Sequence, residues 1–212
     1  MSGVDAQREA THFKNRVLDL VDTYLRKEPS NPLALHLIVP LLDLVAGSGQ
    51  DERQLSDKAK GILRSRIGKA KEVPIGADIE RVTEVATSVH AKARKAHSSD
   101  LLAILSLCSV YLAKMLVHAK AEESLTKLYK ESLEDFAVRK NSSLNPAFFQ
   151  DFIRRFPGQA WSLRRDLLDI APKAINAYRQ TQVLQLLEHL LGLLPSIVSP
   201  KLPFRLSANK AP

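Results

Sequence analysis

The sequence predicts an all-α fold, and three observations predict it. Apolar residues return every three or four positions in nearly every segment, which is the period of one face of an α-helix. The 45% of hydrophobic residues are mostly Leu, Ala, Val and Ile, with 8 glycines in 212 residues and 6% aromatics, and Leu and Ala suit helices. No stretch alternates apolar and polar residues around a hairpin turn. Helices of this length with short connections pack antiparallel. The expected architecture is an α-solenoid of stacked helical pairs, HEAT/armadillo-like. An irregular helical bundle is the alternative, because no repeat period is visible. Residues 1–194 form the helical-repeat domain, and residues 195–212, with Pro195, Pro200 and Pro203, read as an extended tail.

The elements follow in order. In residues 12–27, Phe13, Val17, Leu20, Val21, Tyr24 and Leu25 share one face. Asn31 can cap the next helix with Pro32 at its first position, and Pro40 should kink or break it for want of an N–H. A Gly-Ser loop precedes a basic helix over residues 55–71. Ile79, Val82, Ala86, Val89 and Ala93 then form an amphipathic stripe. Ser98 and Ser99 open an apolar helix, residues 101–117, which should be the most buried because apolar residues surround it. At 17 residues, with Lys114 inside, it is short for a membrane span and suits a core helix. Residues 122–140 give another helix, with Leu125, Leu128, Tyr129, Leu133 and Phe136 inward. A short helix ends near Phe156-Pro157-Gly158, and residues 159–170 and 171–194 complete the series.

Charge narrows the function classes. The formal net charge is +8 and the sequence pI about 9.6, in the range of nucleic-acid-binding domains when the cations cluster. Residues 51–100 hold 11 basic and 8 acidic side chains, and residues 151–212 hold 9 and 4, so the excess sits there. A single cysteine, Cys108, lies in the apolar run; it cannot form an internal disulfide and is expected to be a core residue in a reducing compartment. The first thirty residues are charged and amphipathic, unlike a secretory leader.

Catalytic patterns are missing. There is no His-Glu-x-x-His, Cys-x-x-Cys, phosphate-binding glycine loop or Gly-x-Ser-x-Gly. No catalytic residue, metal ligand, cofactor or small-molecule substrate is therefore expected. His90 and His97 lack the further ligands that zinc needs and read as solvated. Asp19/Asp22 and Asp166/Asp169, spaced i, i+3, read as solvated helix charges. Phe148, Phe149, Phe152, Phe156 and Trp161 lie beside Arg154, Arg155, Arg164 and Arg165. Aromatics with arginines can stack on unpaired bases, but the helical spacing of Phe149, Phe152 and Phe156 favours core packing with outward arginines. These four arginines form a secondary candidate site.

The primary candidate is the basic helix. Wound at about 100° per residue, it places Leu55, Ala59, Ile62, Leu63, Ile67 and Ala70 in one arc. Lys58, Arg66 and Lys69 follow one border, and Lys60, Arg64 and Lys71 the other. Asp57, Gly61, Ser65 and Gly68 face solvent between them. A phosphate backbone could approach such a small-residue face closely and be held from both sides. The competing reading is a solvated face whose long cations lie along an apolar border. A second cluster, Lys92, Arg94 and Lys95, follows.

The phrases "FKNRVLDLVDTYLRKEPSNPLAL", "LSDKAKGILRSRIGKAKEVP" and "NSSLNPAFFQDFIRRFPGQAW" resemble the C-terminal part of the Myb-binding protein 1A / DNA polymerase phi family of large eukaryotic nucleolar proteins. The resemblance runs from about residue 13 to 194. It implies a helical-repeat fragment of a longer protein, located in the nucleus and nucleolus, that takes part in ribosomal RNA production and ribosome assembly. It carries no catalytic residues onto this chain. Together with the charge, it leads to the expectation of a non-catalytic module whose basic face binds ribosomal RNA or ribosomal DNA, with other ribosome-assembly or transcription proteins as partners and no membrane. The alternative is a protein-interaction scaffold without nucleic-acid contact.

Overall fold

The computed structural model describes residues 3–47 and 52–199. The helices are α1 (Gly3–Lys27), α2 (Leu35–Gly47), α3 (Arg53–Ile62), α4 (Ile79–Arg94), α5 (Ser99–His118), α6 (Glu122–Val138), α7 (Pro146–Arg155), α8 (Pro157–Ala160), α9 (Arg164–Ile170), α10 (Ala177–Gly192) and α11 (Leu194–Val198). No strand occurs among the described residues.

The packing is that of a solenoid. In one layer α2 stacks on α4, α4 on α6 and α6 on α9; in the other, α1 stacks on α3, α5 on α7 and α7 on α10, with the π-helical end of the α3 segment against α5. The layers join through α2 on α3, α4 on α5, and α9 on α10. Helices α6 and α7 meet through rings: Tyr129 stacks on Phe152 with centroids 3.8 Å apart, and Phe136 lies 5.3 Å from Phe149. Each pair thus buries its apolar stripe against both its own partner and the next pair, as stacked repeats require.

Several helix starts follow the expected capping chemistry. Asn31, Asp78, Ser98, Asn145 and Asn176 each accept a backbone N–H of the first turn, satisfying a donor that the helix leaves orphaned. Helix α5 is the central element, with Leu105, Cys108 and Leu112 fully buried. By length and composition α5 could cross a membrane, yet here it is the core of the stack.

Five details differ from the sequence reading. The stripe of α1 splits: Leu25 is buried and Val21 and Tyr24 pack against the core, whereas Phe13, Val17 and Leu20 point outward and Leu18, outside the stripe, is buried instead, because α1 turns toward α3 the face that carries Leu18 and Leu25. Pro40 does not break α2, which runs on to Gly47, although its ring leaves one i→i−4 hydrogen bond of the helix unmade. Residues 171–176 are not the first turns of α10; a 3-10 turn over Ala171–Lys173 and the Asn176 cap separate it from α9. Residues 195–198 are helical within α11 rather than extended, and residues 200–212 of the expected tail lie outside the described residues. The basic stretch is not one continuous α-helix: α3 passes into a π-helix over Leu63–Gly68.

Candidate functional site

The basic stretch is built by α3 and its π-helical extension. Ser65 Oγ donates to the Gly61 carbonyl at 2.6 Å, competing for the acceptor that the Ser65 amide would use in an α-turn. The wider i→i+5 turn shifts the residues beyond it. Gly68 consequently leaves the solvent face and lies against α5, where a Cβ on it would fall 2.8 Å from Leu107 Cδ1. Gly61 and Ser65 remain exposed as expected.

The two cationic borders exist, but most of their charge is committed within the molecule. On one side Lys58 Nζ pairs with Asp19 at 2.6 Å and donates to the Asn15 carbonyl at 3.1 Å. Arg66 grips Asp22 with two bonds, Nε at 2.8 Å and a terminal nitrogen at 3.3 Å. On the other side Lys60 reaches Asp100 at 3.1 Å, and Arg64 pairs with the same carboxylate. The hydrogen bond from Arg66 holds the Asp22 carboxyl below its usual range, and that from Lys60 does the same for Asp100. The borders therefore tie the α3 segment to α1 on one flank and to the first turn of α5 on the other. Lys69 and Lys71 are exposed, and no carboxylate pairs with either among the described residues.

The acidic partners are what the sequence reading missed. Asp19 is exposed as expected and Asp22 is half-buried, but neither is unpartnered: their i, i+3 spacing puts both on the α1 face that meets Lys58 and Arg66, about two helical turns apart. Asp166 likewise pairs with Lys130 at 2.9 Å. In the second cluster, Lys92 pairs with Asp43 at 2.5 Å and Arg94 lies 3.8 Å from Glu131.

Phe148, Phe149 and Phe152 are buried in the core and Phe156 and Trp161 are partly buried. Around them, Arg154 pairs with Asp151 at 2.7 Å. Arg164 lies over the Trp161 ring at 5.2 Å and donates to its carbonyl. Arg155 and Arg165 are exposed. Among the described residues, the five rings beside these arginines are thus buried or half-buried, and Arg164 lies over the half-buried Trp161.

His90 overturns the solvated reading. It is buried in α4, with Nδ1 2.8 Å from Ser132 Oγ and Nε2 2.9 Å from Ser109 Oγ, and Ser109 in turn bonds Tyr129 Oη at 2.7 Å. Burial pushes its pKa down to about 3, so the ring is neutral and bridges α4, α5 and α6. The sequence signal was its spacing of four from Ala86, inside the buried stripe. A serine beside a histidine invites a catalytic reading, but Ser109, His90 and Tyr129 are all buried away from any substrate. Burial also pushes the Cys108 thiol up to about 12, which leaves little thiolate for chemistry. No group of three or more metal-ligating side chains occurs among the described residues.

A solenoid with these features matches a known repeat family over most of its length. The sequence profile described as "Myb-binding protein 1A-like, TPR repeats" fits residues 28–192. The chain belongs to this family. Among its relatives, the Myb-binding protein 1A-like protein of Danio rerio is 26% identical over 190 residues, covering 80% of this chain and 15% of that protein. The rDNA transcriptional regulator pol5 of Schizosaccharomyces pombe is 26% identical over 146 residues, covering 68% of this chain and 15% of that protein. Myb-binding protein 1A of Mus musculus is 26% identical over 186 residues, or 68% and 13%. The chain therefore spans about 15% of the length of these relatives. No solved structure matches it. The family description assigns the stacked pairs to the TPR class of solenoid repeats.

Proposed function

We propose that this chain is a non-catalytic repeat segment of a nuclear, nucleolar regulator of ribosomal-DNA transcription and ribosome production, and that it serves there as a protein-docking scaffold. The family and the names of the relatives support the regulatory role. The observation that carries the scaffold reading is the internal commitment of the basic stretch: Lys58, Lys60, Arg64 and Arg66 are held by Asp19, Asp22 and Asp100. Cations already paired in the fold are less available to neutralise phosphates and displace the counterions condensed on a nucleic acid. Stacked helical pairs also present extended surfaces suited to partner segments.

A second reading, direct contact with ribosomal RNA or DNA, is favoured by one observation. Lys69 and Lys71 are exposed and unpaired among the described residues, on a chain of net charge +8. The two readings differ in salt dependence. If Lys69 and Lys71 alone meet phosphate, log affinity falls with log salt at a slope of about 2, against about 5 for all six cations. Crosslinking in cells, with RNA and protein contacts mapped onto the chain, tests the choice. Protein crosslinks spread over the helical layers are expected. RNA crosslinks concentrated on residues 58–71, with a purified-chain salt slope near 5, would replace the scaffold reading with the nucleic-acid one.

A further inference from the structure

Helix α1 carries two apolar stripes, and the fold covers one of them. Leu18 and Leu25 are buried against the body. On another side of the helix run Gly3, Ala6, Ala10, Phe13, Val17 and Leu20, and every one of these is exposed. Their spacing is 3, 4, 3, 4, 3, which is the repeat of a coiled-coil seam. The N-terminal turns also stand clear of the body, since residues 5–10 are exposed on every side. Short helical turns without a packed face are marginal in water, so this end of α1 gains most from a second helix laid along it.

Two features of the stripe specify that second helix. One is size: the first half of the seam is small, with Gly3, Ala6 and Ala10, and the second half is large, with Phe13, Val17 and Leu20. The other is charge. Glu9 and Arg16 flank the seam on the same side, seven residues apart. Both are exposed, and neither forms an ion pair among the described residues. A helix that is small and acidic at one end and large and basic at the other is complementary to its own reverse.

We propose that α1 pairs antiparallel with α1 of a second copy of this chain, about a two-fold axis. In that register Ala10 faces Phe13 of the second copy, Ala6 faces its Val17, and Gly3 faces its Leu20. Each layer sets a small residue against a large one, and the axis repeats every contact. Glu9 of each copy meets Arg16 of the other at the rim of the seam. The bodies are attached to the C-terminal halves of α1, so they lie at opposite ends of the pair. The projecting N-terminal turns of one copy then cover Phe13, Val17 and Leu20 of the other. A parallel pair would stack Phe13 on Phe13 and alanine on alanine, and it would bring Glu9 to Lys14, which Glu52 already holds at 2.5 Å. The inference goes beyond the scaffold reading and is independent of whether the chain's other partner is protein or RNA.

Sedimentation of the 212-residue chain should show monomer passing to dimer as its concentration rises from about 1 µM to about 1 mM, the range of weak specific contacts. Phe13→Ser changes a position exposed in the single chain, yet it removes two buried rings from each dimer and should weaken pairing at least ~100-fold. Glu9→Arg and Arg16→Glu should each weaken it ~3-fold or more, because either change sets two like-charge contacts in the dimer. The chain carrying both should regain the parent's affinity, since the pair is restored with its signs exchanged. Lys127→Glu, on the exposed face of α6, should alter pairing by less than ~2-fold. In dilute solution, with the copies apart, all of these chains should melt with the parent, which separates lost pairing from lost folding. A parent that stays monomeric throughout, or a dimer that survives Phe13→Ser, would overturn the proposal. So would a doubly exchanged chain that pairs no better than either single variant, because only the antiparallel register brings Glu9 to Arg16.

Discussion

His90 illustrates how one buried side chain sets a pH dependence. Its folded pKa is down at about 3, whereas an unfolded histidine titrates near 6.5. The folded ring stays neutral between these values while the unfolded chain takes up a proton. Stability therefore holds above pH 6.5 and is lost as pH falls toward 3, at about 1.4 kcal/mol per pH unit. Burial is the main cause of the shift, and the charge of Arg94 adds to it. Replacing His90 with Gln removes the titration. The variant should be less stable by about 1–3 kcal/mol at pH 7.5, since Ser109 and Ser132 lose well-placed partners. Its deficit should shrink by about 2 kcal/mol or more between pH 6.5 and 4.5. Denaturant melts of both chains across that range check this; parallel curves would show that His90 does not titrate between the folded and unfolded states. Only part of this was legible beforehand. The stripe of α4 marked Ala86 and Ala93 as inward, and His90 lies between them, but a histidine's type alone does not say whether hydroxyls await it. Ser109 and Ser132 are 19 and 42 residues away.

At the scale of the element, the α3 segment shows where periodicity reads well and where it fails. Its apolar arc was correct, with Leu55, Ala59, Ile62, Leu63 and Ile67 all buried. Four of the six border cations were also correct in placement, Lys58 and Arg66 on one flank and Lys60 and Arg64 on the other, because a helical wheel fixes which side chains flank an arc, whereas Lys69 and Lys71 lie past the helical end at Gly68. What a wheel cannot supply is the element across the border. Asp22 is 44 residues from Arg66, and the turn geometry that moves Gly68 depends on a local competition between Ser65 and the backbone. The clamp has a measurable consequence. Arg66 and Asp22 form a bidentate pair whose side chains are 27% and 33% exposed, so solvent screens much of it. A double-mutant cycle with Arg66→Ala and Asp22→Ala should give a coupling of about 0.5–1 kcal/mol at pH 7 and low salt. Because the folded Asp22 carboxyl titrates below its usual range, the coupling is present above about pH 4 and fades as the pH falls below it. A coupling near zero at pH 7 would mean that the pair does not fasten α3 to α1.

The whole molecule is a two-layer stack, and its stability should follow that geometry. Helix α5 touches both layers and holds Leu105 with no exposed surface. Helix α1 stacks on α3 and its π-helical end. The two apolar faces of α1 therefore have different fates. Leu18 and Leu25 are buried, while Phe13 and Leu20 are each 69% exposed. The sequence reading put Phe13, Leu20 and Leu25 on one stripe and left Leu18 out; at about 100° per residue Phe13 and Leu20 lie about 140° from Leu18 and Leu25, and which of the two faces is covered depends on the neighbours beside the helix. Exposed side chains contribute little to folding, whereas burying an unpaired charge in α5 is among the few changes that cost above about 4 kcal/mol. Phe13→Ser combined with Leu20→Ser should leave the denaturant midpoint nearly unchanged. Leu18→Ala should cost about 2–3 kcal/mol, and Leu105→Asp should abolish cooperative folding. Hydrogen exchange should follow the same order, since the end of a stacked array opens at lower free energy than its centre. Amides of α5 should exchange at the rate of global unfolding and those of α1 faster. Equal protection of α1 and α5, together with a large loss of stability in the Phe13/Leu20 double variant, would place the outer face of α1 inside the folded core.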